Sequence, residues 1–122
     1  MTARRLIPAL LCLPLVLVAW TPFHLELFGS FPDEDEVIAE APDVVWLEFS
    51  AAPDMSRSSF SIRGEGGAVE LGDMEVGEGE EFIQADVLGE MAAGTYTVSW
   101  IAAPADDHAV RGRFDFTVGE AR

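Results

Sequence analysis

The chain carries two imidazoles, His24 and His108, in 122 residues. Histidine is the side chain that titrates nearest neutrality and the commonest metal ligand. His108 stands two positions after Asp106, with Asp107 between them, in a segment whose composition marks a loop, Ala102-Ala103-Pro104-Ala105-Asp106-Asp107-His108. His24 directly follows an apolar N-terminal stretch. Taken singly, each has an ordinary reading: His108 as a loop histidine, His24 as an exposed residue on a first strand. Carboxylates abound, but no Ser-His-Asp spacing, phosphate-cradling glycine loop or zinc motif accompanies them. Ser56, Ser58 and Ser59 read as turn and strand residues. The single cysteine, Cys12, lies inside the apolar stretch. A domain that begins after it has no disulfide, no zinc–thiolate site and no cysteine nucleophile.

The charge restricts partners. All 22 acidic residues follow position 23, against five arginines and no lysine there, so residues 24–122 carry a formal charge of −17. Nucleic acid and anionic membranes are disfavoured, because attraction to phosphate dominates binding to both. The acidity suits cations but is spread along the chain. It reads first as a solvated surface tuned for solubility or a salty habitat, and acid count alone makes no metal site.

The N-terminus looks like an export signal. Thr2-Ala3-Arg4-Arg5 is a short basic start, and Leu6 to Trp20 is almost wholly apolar, broken by Pro8 and Pro14. Such a run fits a secretory signal better than a membrane span, which needs about 20 apolar residues. An uncleaved anchor is the alternative. Signal peptidase prefers small residues before the cut. Ala19 fits that preference, whereas a cut before His24 leaves Phe23 there. The resulting division is a signal segment over residues 1–23 and a domain over residues 24–122.

The elements after residue 23 read as short strands. His24 to Phe31 is extended and stopped by Pro32, and Pro32 to Glu36 is a polar turn. In Val44 to Phe49, Val45, Leu47 and Phe49 share one face, the period-two pattern of a half-buried strand. Ser58 to Arg63 puts Phe60 and Ile62 on one face. Ala68 to Leu71 is a short strand and Gly72 to Glu80 an acidic loop. Glu81 to Leu88 is a strand whose inward face the pattern leaves open. Gly94 to Trp100 aligns Tyr96, Val98 and Trp100. The closing strand aligns Phe114, Phe116 and Val118. No amphipathic helix follows the signal. About seven short strands separated by turn residues imply an all-β, immunoglobulin-like Greek-key sandwich. Tyr96 and Trp100 are expected as core aromatics with a bonded polar tip.

Three segments resemble the copper-resistance CopC family of periplasmic copper-binding proteins. They are His24-Leu25-Glu26-Leu27-Phe28-Gly29-Ser30-Phe31-Pro32; Ala41-Pro42-Asp43-Val44-Val45-Trp46-Leu47-Glu48-Phe49-Ser50; and Gly94-Thr95-Tyr96-Thr97-Val98-Ser99-Trp100 with Asp106-Asp107-His108 and Gly112-Arg113-Phe114-Asp115-Phe116-Thr117-Val118. The resemblance covers residues 24 to 122 and is weakest from 54 to 90. It implies a copper(II) site made by His24, through imidazole and a freed amine, with Asp106 and His108. Nitrogen donors with a carboxylate oxygen suit tetragonal copper(II). Asp107 replaces a glycine usual in the family; aspartate tolerates left-handed geometry better than most residues and adds a candidate further ligand. Met55, Met74 and Met91 are scattered, so no separate copper(I) site is expected.

The resemblance implies a periplasmic copper(II) carrier or buffer acting in copper resistance, with an inner-membrane protein of the CopD kind as its partner. A sandwich that has lost metal binding and serves as an interaction module is the alternative. An enzyme is not expected. Copper-dependent polysaccharide oxygenases also use an N-terminal histidine on a sandwich, but need a flat substrate face built from loops for which this chain has little length.

Overall fold

The computed structural model describes residues 25–119. It contains strands β1 (Leu27–Phe31), β2 (Val37–Ile38), β3 (Val44–Phe49), β4 (Ser59–Gly64), β5 (Gly67–Ala68), β6 (Glu75–Val76), β7 (Phe82–Asp86), β8 (Gly94–Ala102) and β9 (Val110–Val118). They form two sheets, ordered β1-β3-β7-β6 and β2-β9-β8-β4-β5. The expected all-β sandwich is what the chain forms, with no helix among the described residues.

Alternation drives the assembly. In β3, Val45, Leu47 and Phe49 are buried; in β4, Phe60 and Ile62; in β9, Phe114, Phe116 and Val118. Successive side chains of a strand point to opposite sides of its sheet, so each stripe faces the other sheet and forms one core. The β8–β9 hairpin is the longest pairing, running in register from Gly94↔Val118 to Ala102↔Val110. The inward face of β7, open in the sequence, is the one bearing Ile83 and Ala85. Phe82 points the other way and meets Trp46 edge-on, ring centroids 5.5 Å apart.

Three two-residue strands depart from the expected pattern. β2 runs parallel to β9, pairing Val37 with Thr117 and Ile38 with Val118. β6 lies inside the segment read as an acidic loop and pairs with β7. The expected strand from Ala68 to Leu71 contracts to β5 plus an isolated bridge between Leu71 and Val87. Two residues are too few to show a period, so no pattern could mark such pieces.

Tyr96 is a core aromatic with a bonded tip: its ring stacks on Phe116 and its hydroxyl donates to the Ala92 carbonyl at 2.6 Å. Trp100 is only half-buried. It meets Phe49 of the other sheet edge-on, centroids 5.3 Å apart. It lies over Gly112, its register partner on β9. A Cβ at position 112 would come within 2.6 Å of Trp100 Cε2. Since the indole is also in edge-on contact with Phe49, Gly112→Ala is expected to destabilise the fold by about 1–3 kcal/mol through overpacking. Urea unfolding should show a lower midpoint with an unchanged slope; an unchanged midpoint would mean that the indole can move aside freely.

Candidate metal centre

One end of the sandwich collects strand termini from both sheets. β1 begins there opposite the end of β3 (Leu27↔Phe49), β4 begins opposite the end of β8 (Ser59↔Ile101), and β9 begins where β8 stops (Ala102↔Val110). The chain also enters the described domain at this end. Leu25 is buried at 3% exposure, an apolar anchor just before β1. Glu26 is tied to the end of β3 by two bonds: its N–H donates to Ser50 Oγ at 3.0 Å, and its carbonyl accepts from the Ser50 N–H at 2.8 Å.

The loop from β8 to β9 is held by the segment that leads into β4. Ala103 is fully buried, so its backbone polar groups must find partners inside the protein. Its N–H donates to Ser58 Oγ at 3.0 Å and its carbonyl accepts from the Asp54 N–H at 2.7 Å. Arg57 donates from Nη1 to the Pro104 carbonyl at 3.1 Å and from Nη2 to the Asp107 carbonyl at 2.9 Å. Within the loop, the Asp107 N–H reaches the Pro104 carbonyl at 3.5 Å, and the His108 N–H donates to Asp107 Oδ1 at 2.7 Å.

The supporting segment has its own turn. Asp54 Oδ1 accepts from the Ser56 hydroxyl at 2.7 Å and from the Ser56 N–H at 3.0 Å. The Ser56 hydroxyl, then its N–H and the charge of Arg57 hold the Asp54 carboxyl below its ordinary value of 3.8, against desolvation acting the other way. Asp-x-Ser is a local side-chain-to-backbone turn motif.

Asp106 and His108 thus sit on one strapped loop, both exposed, with Asp107 half-buried between them. One Asp107 carboxylate oxygen is committed to the His108 N–H. His24, and the residues 1–23 read as a signal, lie outside the described residues. Among the described residues no group of three or more histidine, cysteine or acidic side chains could hold a metal ion. The loop carries Asp106 and His108 two positions apart, both exposed. Met91 is in the core, and Met55 and Met74 pack against it. The sequence reading missed Arg57, Asp54 and the buried acceptor Ser58. The signal available was an arginine directly after the Asp-x-Ser turn, but its partners lie 47 and 50 residues away.

The CopC domain profile matches residues 27–119. The chain belongs to the CopC domain family. The matched span includes Asp106 and His108 and begins after His24. Among solved structures, this CopC domain is similar to PcoC, a methionine-rich copper resistance protein from Escherichia coli. The identity is 28%, the TM-score 0.72, and the match covers 79% of this chain and 99% of that one. It is also similar to CopC from Methylosinus trichosporium OB3b, at 28% identity and a TM-score of 0.68, over 79% of this chain and 94% of that one. No curated protein matches the chain.

Two outcomes follow from the loop's supports. Ser58→Ala leaves the buried Ala103 N–H without its acceptor and should cost about 1–3 kcal/mol in urea unfolding; a smaller loss would show that water replaces the hydroxyl. The Asp54 carboxyl should titrate with a midpoint below 3.8, read from its carboxyl carbon shift by NMR. Its folded value lies below its unfolded one. The stability from this turn is therefore in place above that ordinary value and is lost as pH falls through the depressed one.

Proposed function

We propose that this CopC domain is a periplasmic copper(II)-binding protein acting in copper resistance, which buffers the ion or passes it to a CopD-type inner-membrane importer. His24, Asp106 and His108 are the ligands, with Asp107 as a further carboxylate. The observation that carries this reading is the convergence at one end of the sandwich. The loop bearing Asp106 and His108 is strapped there, and residues 25 and 26, next in sequence to His24, are anchored at that same end. Two imidazoles, an amine and a carboxylate match the donor preference of tetragonal copper(II). Two further facts support the reading: PcoC is a copper resistance protein, and the basic, apolar N-terminus suits export.

A second reading has its own support. The described residues hold no three-donor cluster, and Phe23 is a poor residue to precede a cleavage that frees the His24 amine. Without that cleavage the domain is a CopC-like interaction module that has lost metal binding.

Mass spectrometry of the exported protein separates the two. A chain starting at His24 favours copper; one starting at Trp20, or retaining residues 1–23, favours the module. Copper(II) titration should then show one ion per chain with nitrogen-rich EPR features. His108→Ala should weaken uptake at least about tenfold, or ~1.4 kcal/mol. Equal uptake by both proteins would remove the site.

A further inference from the structure

We infer that Arg57 is the positioning residue that sets the Asp106–His108 loop in its binding geometry before any ion arrives. The inference rests on the copper(II) reading above. It concerns a residue that binds no ion in that reading and bonds to the loop's backbone carbonyls.

Burial orders the loop mainly at its two ends. Ala103 is buried and Val110 packs against the core, whereas Asp106, His108 and Ala109 are exposed. Inside the loop, the one backbone bond across the turn, Asp107 N–H to Pro104 carbonyl, is 3.5 Å long, at the outer limit for such a bond, and the 2.7 Å bond from the His108 N–H to Asp107 Oδ1 joins only adjacent residues. The Ser58 and Asp54 bonds hold the loop only at its root, Ala103. Beyond that root, Arg57 is the residue from outside the loop whose side chain bonds to it within the described residues.

The manner of the bonding matters. A guanidinium presents its N–H groups in a rigid planar fork. Here two of them meet the Pro104 and Asp107 carbonyls, which bracket Asp106. One side chain thereby sets the separation of two points on the loop. Arg57 is itself held, its N–H donating to the Asp54 carbonyl at 3.0 Å while the adjacent Ser58 is buried. A lysine keeps the charge but is a point donor on a flexible stem and cannot reproduce the fork. A loop ordered in advance need not lose its freedom when it closes on a ligand, so affinity rises without any new contact to the ion.

Charge and geometry make opposite predictions, which gives the test its sign. A cation beside a metal site opposes a second cation, so if Arg57 acted by charge alone, Arg57→Ala would bind copper(II) more tightly. If it acts by position, Arg57→Ala binds more weakly, and Arg57→Lys recovers little. The full exported protein is titrated with copper(II) as wild type, Arg57→Ala and Arg57→Lys, with EPR of each loaded form. Amide exchange at Asp107 and His108 is followed in the metal-free proteins.

We expect a loss of about tenfold or more for Arg57→Ala, the range for residues that orient metal ligands. It should come with overlapping EPR signals and faster exchange of the loop amides. Arg57→Lys should stay close to Arg57→Ala, and it serves as the test variant if Arg57→Ala does not fold. Unchanged or tighter binding with a single wild-type signal, in a wild type that takes up copper, overturns the role of Arg57 alone. No uptake by wild type overturns the copper reading and this inference with it.

Discussion

The buried backbone of Ala103 is the constraint on which the loop end of this domain depends. A strand that leaves a sheet at its buried end must hand its N–H and carbonyl to some partner, because an unmet polar group away from water costs about as much as a lost hydrogen bond. Ala103 has no exposed surface and lies one residue past the end of β8. Both of its groups are met by the 54–58 segment, one by a serine side chain and one by backbone. That segment connects β3 in one sheet to β4 in the other. The same bonds that satisfy Ala103 therefore tie the β3–β4 connection to the end of β8 and fix the root of the loop that carries Asp106 and His108.

Negative charge does a different job from that loop. The domain's carboxylates are numerous, yet among the described residues none of their groupings has the convergence needed to hold a metal. Dispersed charge raises the concentration of cations near a surface and keeps a protein soluble. Holding one ion needs donors fixed at coordination distance, which requires supports to the ligands themselves. Of the described arginines, Arg57 bonds to the loop that carries Asp106 and His108, while Arg63, Arg111 and Arg113 stand exposed on outward positions of β4 and β9.

The fold was legible where strands are long enough to repeat. Val45, Leu47 and Phe49 show two repeats of the period, and Tyr96 with Val98 and Phe114 with Phe116 show one each on the hairpin; all are buried as their spacing implied. β7 was ambiguous because Phe82 and Ile83 put large apolar groups on both parities. The outer face of this sheet accepts Phe82 only because Trp46 on β3 offers it a ring, a fact about two strands and not about one. β2, β5 and β6 were illegible for want of length. Trp100 was assigned to the core by parity alone, and it is half-exposed because its partner across the hairpin is Gly112, over which the indole leans.

The candidate site divides along the same line. Asp106 and His108 could be singled out because their types, spacing and place in a motif are local properties of the chain. The residues that support them could not, since the Arg57 guanidinium and the Ser58 hydroxyl gain their roles from groups some 45 to 50 positions away. Local chemistry selects ligands, whereas topology selects what holds them. In a sandwich the loops at one end come from strands far apart in sequence, so a loop of this kind is braced by a segment that no local pattern associates with it. Exposure sharpens the point: the more open a loop must be to admit an ion, the less its own packing can order it. Its geometry then depends more heavily on a few hydrogen bonds from a neighbouring segment.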